Sequence, residues 1–344
     1  MKFSILFGGR SFEHEISIVS AIALKKLLAN TDIFIFLDDN HEFYLIKKEN
    51  MKSIFFINKG YLKEQKIYLK KNGFFTKTLF GEKQVKIPTI INLIHGGDGE
   101  DGAIASLLDF YEISYIGPRK EACILSYDKE LTKILAQHRG VNVLDYQIVF
   151  QDSKIEVTNF PVIIKPARLG SSLGISIVKN KEELEYALDK AFEYDKKVLI
   201  EHFIPNIKEY NLAGFIANRE LHFSFVEEPK KDEILDFNRK YLDFSRTTNT
   251  QKADLTTEME NILKDNFSKI YTNLFEGAVI RCDFFIHDNK CYLNEINPIP
   301  GSLANYLFAN FNVALNQIST SLPKPNNIKV TYEFLNEIKV AKGK

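Results

Sequence analysis

Short apolar runs alternate with amphipathic stretches at the start of the chain. An apolar run at residues 2–7 ends in two glycines, and apolar positions at helical spacing follow at residues 18–28. Apolar runs at residues 33–37 and 89–94, each with helix-like segments nearby, continue the alternation. This order of strands and helices predicts an α/β domain with a parallel sheet over residues 1–118.

The remainder of the chain departs from that pattern. Residues 43–85 hold short aromatic runs divided by Lys and Asn, which predicts an insertion of β-hairpins in the first domain. A helix ending near residue 140 and short strands around a glycine loop predict a central unit at residues 119–200. Longer strands and one helix predict a C-terminal unit at residues 201–344, and its polar, aperiodic stretch at residues 230–253 predicts a mobile loop.

Composition and charge narrow the classes of partner. A chain of 344 residues is long enough for two or three domains. Lys plus Arg and Asp plus Glu both number 45, so we expect no nucleic-acid or membrane partner, and any phosphate site is local. No run approaches the ~20 apolar residues of a membrane span. The three cysteines form no CxxC pair, which argues against disulfides and zinc and favours a cytoplasmic location.

One candidate for phosphate binding is the glycine loop, Lys165–Gly174, which combines a lysine at a strand end with glycines and hydroxyl side chains. Small residues let backbone N–H groups approach phosphate oxygens, and the lysine adds a positive charge. The Walker pattern and the dinucleotide fingerprint are disfavoured, because no Gly-Lys-Ser/Thr follows and the loop leads into a strand. The pattern leaves two interpretations open, a phosphate-covering loop and a plain hairpin turn.

A second candidate consists of polar pairs inside two apolar strands, Arg281 with Asp283 and Glu295 with Asn297. Residues two apart in a strand share a face, so adjacent strands would bring the pairs together. Carboxylate and amide oxygens are the hard ligands that Mg²⁺ prefers when phosphates complete its coordination. Such groups would be costly in an apolar setting without a partner. The sequence predicts a metal site here, with the solvated face of an edge hairpin as the alternative.

Two further loops lie at predicted strand ends. The first loop, Gly8–Glu15, precedes a helix, whose N-terminus offers N–H donors to an anion; alternatively, Ser17 is a plain N-cap with the glutamates as helix-dipole partners. The segment His95–Gly102 has four glycines in eight residues at a strand end, where ligands gather. Its spacing fits neither an EF-hand nor HExxH, and a surface histidine is the alternative. Lys240 and Tyr241, within the long polar loop, carry no signal by themselves.

Taken in order, these motifs resemble the D-alanine–D-alanine ligase family of the ATP-grasp fold. The likeness covers nearly the whole chain. It rests on LFGGxSxExExS at residues 6–17, HGGxGEDG at 95–102, DK at 128–129, VIxKPxxxGSSxG at 162–174, VLIE at 198–201, KY at 240–241, RxDF at 281–284 and NExNPxPG at 294–301. The resemblance implies an N-terminal α/β parallel-sheet (pre-ATP-grasp) domain, a two-part ATP-grasp fold after it, and a homodimer.

The activity that the resemblance implies is the ATP-dependent ligation of two D-alanine molecules to D-alanyl-D-alanine through a D-alanyl phosphate, for peptidoglycan precursor synthesis. ATP and two Mg²⁺ ions, with Mn²⁺ as a substitute, are the implied cofactors. Two alternatives stay open. One is a related ligase that makes D-alanyl-D-lactate or D-alanyl-D-serine, although Lys240 and Tyr241 favour the dipeptide; the other is a nucleotide-binding module without turnover.

Carried onto matching positions, the resemblance also implies a role for particular residues. ATP would be held by Lys129, Lys165, Ser171, Ser172, Gly174, Glu201, Phe203, Ile204, Glu209 and Lys240. The magnesium ions would be held by Asp283, Glu295 and Asn297. The D-alanine contacts would be Glu13, His95, Gly301, Tyr306 and Leu307. The catalytic group would be Glu13, Ser171, Lys240, Tyr241 and Arg281, with Arg281 stabilising the oxyanion.

The sequence departs from its relatives at two of these positions. Tyr306 stands where many relatives have a serine that binds the carboxylate of the second substrate, which leaves that contact open, although the N–H of Gly301 could serve. Lys208 precedes Glu209 where relatives often have proline, so the chain departs from the family pattern beside the predicted ribose contact.

Overall fold

The computed structural model describes residues 1–28, 31–229, 251–324 and 328–341, and its strands form three sheets. The largest sheet contains β1 (Ser4–Gly8), β2 (Ile33–Leu37), β3 (Phe43–Ile46), β4 (Gln65–Lys70), β5 (Gly73–Thr78), β6 (Gly81–Val85), β7 (Ile90–Asn92) and β8 (Tyr115–Ile116). Its strand order is β6-β5-β4-β3-β2-β1-β7-β8. The strands β2, β1, β7 and β8 are parallel, as the alternation predicts, and the α/β class is confirmed.

Burial on both faces explains why β1 is a continuous apolar run. Ile5 and Phe7 point into one core cluster and Leu6 into another, because successive side chains of a strand face opposite sides. Gly8 ends the strand at φ +99°, and a Cβ there would lie 2.2 Å from the Leu37 carbonyl oxygen. The glycine is therefore required where the first loop leaves the sheet.

The segment at residues 43–85 continues the large sheet through antiparallel pairs, starting with β3 against β2. It also contains a short helix, Ser53–Ile57, which an interpretation as hairpins alone does not include. Five residues are too few for a helical period to appear in the sequence.

The helices connect and flank the sheets. They are α1 (His14–Leu27), α2 (Ser53–Ile57), α3 (Gly97–Glu100), α4 (Ala103–Phe110), α5 (Lys120–Tyr127), α6 (Lys129–His138), α7 (Leu184–Phe192), α8 (Thr257–Tyr271), α9 (Phe311–Ser319) and α10 (Glu333–Ala341). Asp128 and Thr256 cap α6 and α8 with their side-chain oxygens. None of the helices in the described part of the chain is long and apolar enough to span a membrane.

Two antiparallel four-stranded sheets follow the large one. The first contains β9 (Tyr146–Phe150), β10 (Val162–Pro166), β11 (Ser176–Val178) and β12 (Lys197–His202), in the order β11-β10-β12-β9. The second contains β13 (Lys208–Ala217), β14 (Glu220–Phe223), β15 (Ile280–His287) and β16 (Lys290–Asn297), in the order β14-β13-β15-β16. The boundary placed at residue 200 falls inside β12, because the pattern could not show where pairing with β10 ends.

Candidate functional site

The strands β15 and β16 bring the two predicted polar pairs together. Their antiparallel register sets Arg281 opposite Asn297 and Asp283 opposite Glu295. Arg281 holds Asp283 with two bonds, Nε to Oδ1 at 2.6 Å and Nη2 to Oδ2 at 2.8 Å, and the Asn297 amide donates to Oδ2 at 3.0 Å. Asp283 is only 2% exposed. Asp283 therefore does not lie on a solvated hairpin face, whereas Glu295 and Asn297 on the edge strand β16 are partly buried.

Burial and the neighbouring charges shift the pKa of Asp283 in opposite directions. Burial raises the pKa of Asp283, the Arg281 guanidinium works against that shift, and Glu295 across the ladder adds to it. Two facing carboxylates in a buried place favour a cation. Among the residues that the structure describes, no group of three or more His, Cys, Asp or Glu side chains could hold a metal ion. Asp283 and Glu295 would therefore need amide or phosphate oxygens to complete a magnesium site, which is how Mg²⁺ usually binds.

A buried group of two lysines and one glutamate lies where the neighbouring sheet meets α6, with Lys165 on β10, Glu201 on β12 and Lys133 on α6. Lys165 Nζ donates to Glu201 Oε2 at 2.6 Å, and Lys133 Nζ lies 2.5 Å from Glu201 Oε1. The second contact is an ion pair that is too poorly directed to count as a hydrogen bond. Lys165 also donates to Asn294 Oδ1 at 3.2 Å, which joins this sheet to β16. Two cations on one carboxylate leave net positive charge, which suits a phosphate.

The pKa shifts of this group follow from burial and pairing. Burial works to lower the pKa of Lys165, but the Glu201 carboxylate outweighs it and the net shift is upward. Burial works to raise the pKa of Glu201, and Lys165 and Lys133 together reverse that effect. For Lys133 burial prevails, and its pKa is lowered. The three groups therefore hold their charges only as a set.

Lys133 was not among the predicted site residues. It lies four residues after Lys129 on α6, and positions four apart on a helix share a face. That spacing was the available signal. Lys129 itself donates from Nζ to the Leu169 carbonyl of the glycine loop at 2.5 Å, and burial lowers its pKa.

The glycine loop contacts the first loop at Glu13. Ser171 donates its hydroxyl proton to Glu13 Oε1, and Glu13 is 6% exposed. A Cβ at Gly170 would lie 2.8 Å from the same carboxylate oxygen, so glycine allows this approach. Ser171 and Ser172 both have φ +60°, a backbone conformation that residues other than glycine rarely adopt. The interpretation of the loop as a plain hairpin turn does not account for these features.

Ser17 is not the N-cap of α1, because the helix begins at His14 and Glu13 takes the cap position. The Ser17 hydroxyl instead accepts from the Gly8 N–H at 2.8 Å and donates to the Leu93 carbonyl at 2.6 Å. It therefore ties the first loop to the end of β7. Burial and the nearby Glu100 raise the pKa of Glu13, so its charged form needs a cation.

His95 is buried, 3% exposed, so the alternative of a surface histidine is wrong. Its Nε2 lies 3.1 Å from the Ser20 hydroxyl oxygen. Burial lowers the pKa of His95 to about 4 and raises the pKa of Glu100 to about 8. Both groups are therefore neutral near pH 7, and the 3.7 Å between His95 Nδ1 and Glu100 Oε1 is a contact, not an ion pair.

A cavity of about 400 Å³ opens beside Glu13. Its lining comprises residues 10–13 of the first loop, Gly96, Gly97, Tyr127 and Leu169 of the glycine loop. Its size and its buried carboxylate suit a small cationic or zwitterionic molecule.

A turn with unusual backbone follows β16. Ser302, Leu303 and Ala304 have φ values of +47°, +54° and +48°. Tyr306 donates its hydroxyl to Glu227 Oε2 at 3.3 Å. The Leu307 side chain is fully buried in a cluster with Ala213 and Ala304, so only its backbone could meet a ligand.

Seven predicted site residues remain to be placed: Phe203, Ile204, Glu209, Gly174, Gly301, Lys240 and Tyr241. Phe203 and Ile204 follow β12 directly, and the Phe203 N–H donates to the Pro161 carbonyl at 2.9 Å. Glu209, on β13, lies close enough to Lys165 to raise its pKa. Gly174 has φ +69° in the glycine loop, and Gly301 begins the turn after β16. Lys240 and Tyr241 lie outside the described residues.

Known proteins resemble this chain over its whole length. Residues 2–118 match the family model described as D-ala D-ala ligase N-terminus, and residues 135–315 match D-ala D-ala ligase C-terminus. The D-alanine–D-alanine ligase of Wolinella succinogenes is 54% identical, and that of Campylobacter jejuni subsp. jejuni serotype O:2 is 55% identical, with 100% of each chain covered.

Solved structures agree with these sequence matches. The D-alanine–D-alanine ligase from Helicobacter pylori superposes with a TM-score of 0.86 at 50% identity, covering 95% of this chain and 100% of that chain. The VanG D-Ala:D-Ser ligase from Enterococcus faecalis reaches 0.71 at 24% identity, covering 93% and 97%, which is a likeness of fold.

Proposed function

We propose a mechanism for this chain, which belongs to the D-alanine–D-alanine ligase family and joins two D-alanine molecules to D-alanyl-D-alanine at the expense of ATP. The observation that carries the mechanism is the β15–β16 register, which sets Arg281 and Asp283 against Asn297 and Glu295. The curated relatives named as D-alanine–D-alanine ligases match over their full length, which supports the dipeptide over an ester or a D-serine product.

The reaction proceeds in two transfers. A carboxylate oxygen of the first D-alanine attacks the γ-phosphorus of ATP, the bond to the ADP oxygen breaks, and D-alanyl phosphate forms. The deprotonated amine of the second D-alanine then attacks the carbonyl carbon, and phosphate leaves with the bonding pair. D-alanyl-D-alanine is the product that peptidoglycan precursor synthesis consumes.

The nucleotide contacts come from α6, β10, β12 and the glycine loop. Lys129 and Lys165, supported by Lys133, hold phosphate oxygens, since buried ammonium groups stabilise phosphate charge strongly. Ser171, Ser172 and Gly174 close over the phosphates. Adenine and ribose are held by Glu201, Phe203, Ile204 and Glu209, and Lys240 of the polar loop reaches the γ-phosphate.

The donor set of Asp283, Glu295 and Asn297 fits magnesium, because all three offer oxygen and two are carboxylates on facing strands. Two Mg²⁺ ions, or Mn²⁺ in their place, would neutralise phosphate charge and orient the triphosphate. Arg281 extends from the same cluster and stabilises the oxyanion that forms when the amine attacks.

The first D-alanine binds between the first loop and His95. Glu13 receives the ammonium group, because a buried carboxylate with a raised pKa gains most from a cationic partner. Neutral His95 contacts the carboxylate, and Glu13, Ser171 and Tyr241 act together in catalysis. The second D-alanine lies against the N–H of Gly301 and the Tyr306 and Leu307 segment.

The test of this function is phosphate release on mixing D-alanine with ATP and Mg²⁺. We expect release that depends on D-alanine, and D-alanyl-D-alanine as the product. Parallel reactions with D-alanine plus D-lactate or D-serine, followed by separation of products, test the alternatives. Dominant ester or mixed dipeptide at neutral pH would contradict the substrate assignment, and no release at all would favour a binding module.

The metal assignment is tested with Glu295→Gln. The change removes one carboxylate and keeps the shape of the side chain, so we expect turnover to fall by about a hundredfold or more while folding is retained. Calorimetry should show that Mg²⁺ no longer strengthens ADP binding. Glu220→Gln, an exposed change in the same sheet on β14, is the matched control. Wild-type turnover in Glu295→Gln would contradict the assignment.

Two further assignments concern the whole protein. We place it in the cytoplasm, which agrees with three cysteines that are all free and buried. We also expect a homodimer, and light scattering coupled to size-exclusion chromatography measures the mass directly. A monomer mass near 40 kDa at micromolar concentration would contradict the dimer.

A further inference from the structure

The hydroxyl of Ser20 joins two segments from opposite ends of the chain. Ser20 lies in α1 and is completely buried. His95 Nε2 lies 3.1 Å from Ser20 Oγ, and the Ser302 N–H donates to the same oxygen at 3.2 Å. One oxygen therefore touches a residue at the end of β7 and a residue of the turn after β16.

The hydrogen-bonding capacity of serine accounts for both contacts. A hydroxyl has one proton to donate and two lone pairs that accept. The Ser302 N–H occupies one lone pair, and the proton or the second lone pair serves Nε2 of neutral His95, according to the tautomer of the ring. The backbone of Ile299, just before the same turn, lies close enough to the His95 ring to oppose the lowering of its pKa. His95 and the turn are thus neighbours, and Ser20 joins them through its hydroxyl.

The turn needs such support. Left-handed backbone costs about 1–2 kcal/mol per residue that carries a side chain, and three consecutive residues of the turn, 302–304, adopt it. Conformations of this kind persist only where the surroundings fix them. Helix α1 packs against the turn, and the bond from Ser302 to Ser20 is a polar anchor between them.

We propose that Ser20 is a positioning residue that fixes His95, at the first D-alanine, and the turn at residues 301–304, at the second D-alanine, in one relation to each other. This inference rests on the proposed function. Amine and acyl carbon react only when held about 3–3.5 Å apart and aligned. A hydroxyl that positions both sides therefore affects the binding of both D-alanines and the rate of their joining.

The principal test is Ser20→Ala, assayed by phosphate release over a range of D-alanine at saturating ATP and Mg²⁺. We expect higher Michaelis constants (KM) for both D-alanine sites and a kcat that is lower by about tenfold or more. A misplacement of the reactants by about 1 Å can lower the rate by about a hundredfold. The KM for ATP should stay within about twofold, since Ser20 touches no nucleotide contact.

Ser4→Ala is the matched control. Ser4 is equally buried and donates to the Pro88 carbonyl at 3.0 Å, at the end of β1 away from the first loop. Ser4→Ala loses one buried hydroxyl bond and Ser20→Ala loses two, so the free energy of unfolding should fall by about 1 kcal/mol in the control and by about 2 kcal/mol in Ser20→Ala. Only Ser20→Ala should change the KM values for the two D-alanine sites.

A double variant separates the two branches of the contact. In a His95→Gln background, Ser20→Ala should no longer raise the KM for the first D-alanine, because that effect passes through His95. It should still raise the KM for the second D-alanine, because that effect passes through Ser302. Ser20→Ala kinetics equal to those of Ser4→Ala, or fully additive effects at the first site, would overturn the inference. A wild-type protein without D-alanine-dependent phosphate release would instead overturn the proposed function.

Discussion

Individual charged residues in the interior are held by their partners in sets. Lys133, Lys165 and Glu201 are all buried, and the charge of each depends on the others. A buried ion that loses its partner keeps its desolvation cost without the compensating attraction. The set is therefore a structural support as well as a source of positive charge for phosphate.

Glu201→Gln leaves two buried lysines without a counter-charge. We expect the free energy of unfolding to fall by about 3–5 kcal/mol, measured by urea denaturation without nucleotide. Adding Lys133→Met to this variant should restore part of the loss, because one unpaired cation is removed. The exposed pair Lys154 and Glu156 supplies the control, since Glu156→Gln should leave stability unchanged. Equal stability of wild type and Glu201→Gln would contradict the set.

Glu100 should make the stability of the protein depend on pH. Burial raises the pKa of Glu100 to about 8 from 4.5. Between these values the folded state keeps a proton that the unfolded state has released, so stability falls as pH rises through this window. Glu100→Gln has no proton to lose, so the free energy of unfolding of this variant relative to that of wild type should increase from pH 5 to pH 8. Urea denaturation of both proteins at each pH measures the difference, and a constant difference would contradict the shifted pKa.

At the scale of elements, helix ends are stabilised from distant parts of the chain. Arg139, just after α6, donates from Nη1 to the carbonyls of Lys269, Ile270 and Thr272 at 2.7, 2.8 and 2.8 Å. These carbonyls lie at the C-terminal end of α8, where backbone acceptors lack helical partners and a positive charge is favourable. Arg139 therefore holds two helices together.

Arg139→Gln removes that charge and most of those bonds. We expect a loss of about 1–3 kcal/mol in the free energy of unfolding, with faster amide hydrogen exchange at the end of α8. Arg139→Lys should lose less, because it keeps the charge but lacks the planar guanidinium. Lys154→Gln, at an exposed lysine with no helix end beside it, serves as the control. Unchanged exchange in Arg139→Gln would show that α8 ends without this support.

The predicted elements were most accurate where the period was regular. Strand β2 has the predicted limits, and β1 differs from its predicted limits by one or two residues at its ends. Helix α8 ends at Tyr271, although apolar residues at positions that suit a helix continue to Phe275. The apolar residues that follow it, Leu274 and Phe275, pack in the core without being helical. Burial alone therefore extended the apparent helix.

At the scale of the whole molecule, the central unit at residues 119–200 contacts the N-terminal domain through aromatic rings as well as through Ser171. Phe12 of the first loop meets Tyr194, after α7, with ring centroids 5.2 Å apart at 71°. A Cβ at Gly174 would lie 2.8 Å from the same tyrosine ring. Tyr194 therefore packs between the first loop and the glycine loop.

Tyr194→Ala should weaken the packing between the first loop and the glycine loop. Edge-to-face ring pairs contribute about 0.5–1.5 kcal/mol, so we expect kcat/KM for ATP to fall by about two- to tenfold. Thermal stability should barely change, because Phe12 is 62% exposed. Tyr186→Ala, an exposed change on α7, is the control. Phe12→Ala should cause the same loss, and combining it with Tyr194→Ala should add little; additive losses would contradict a shared contact.

The sequence by itself determined the order of strands and helices, the polar pairs of β15 and β16, and the glycine loop. These features are local, because they depend on side-chain periodicity and on residues within a few positions of one another. The sequence placed Glu13 and His95 in loops at strand ends, but their roles came only from the family resemblance, since nothing in their neighbourhood shows that they are buried.

Tertiary structure alone decided the partners of these residues. The ion pair of Lys133 with Glu201, the bond of Arg139 to the end of α8, and the contacts of Ser20 with His95 and Ser302 all join distant positions. Such contacts depend on how sheets and helices pack after the chain has folded, and no local period encodes that packing. The sequence supplied the reactive groups, and packing fixed the distances between them.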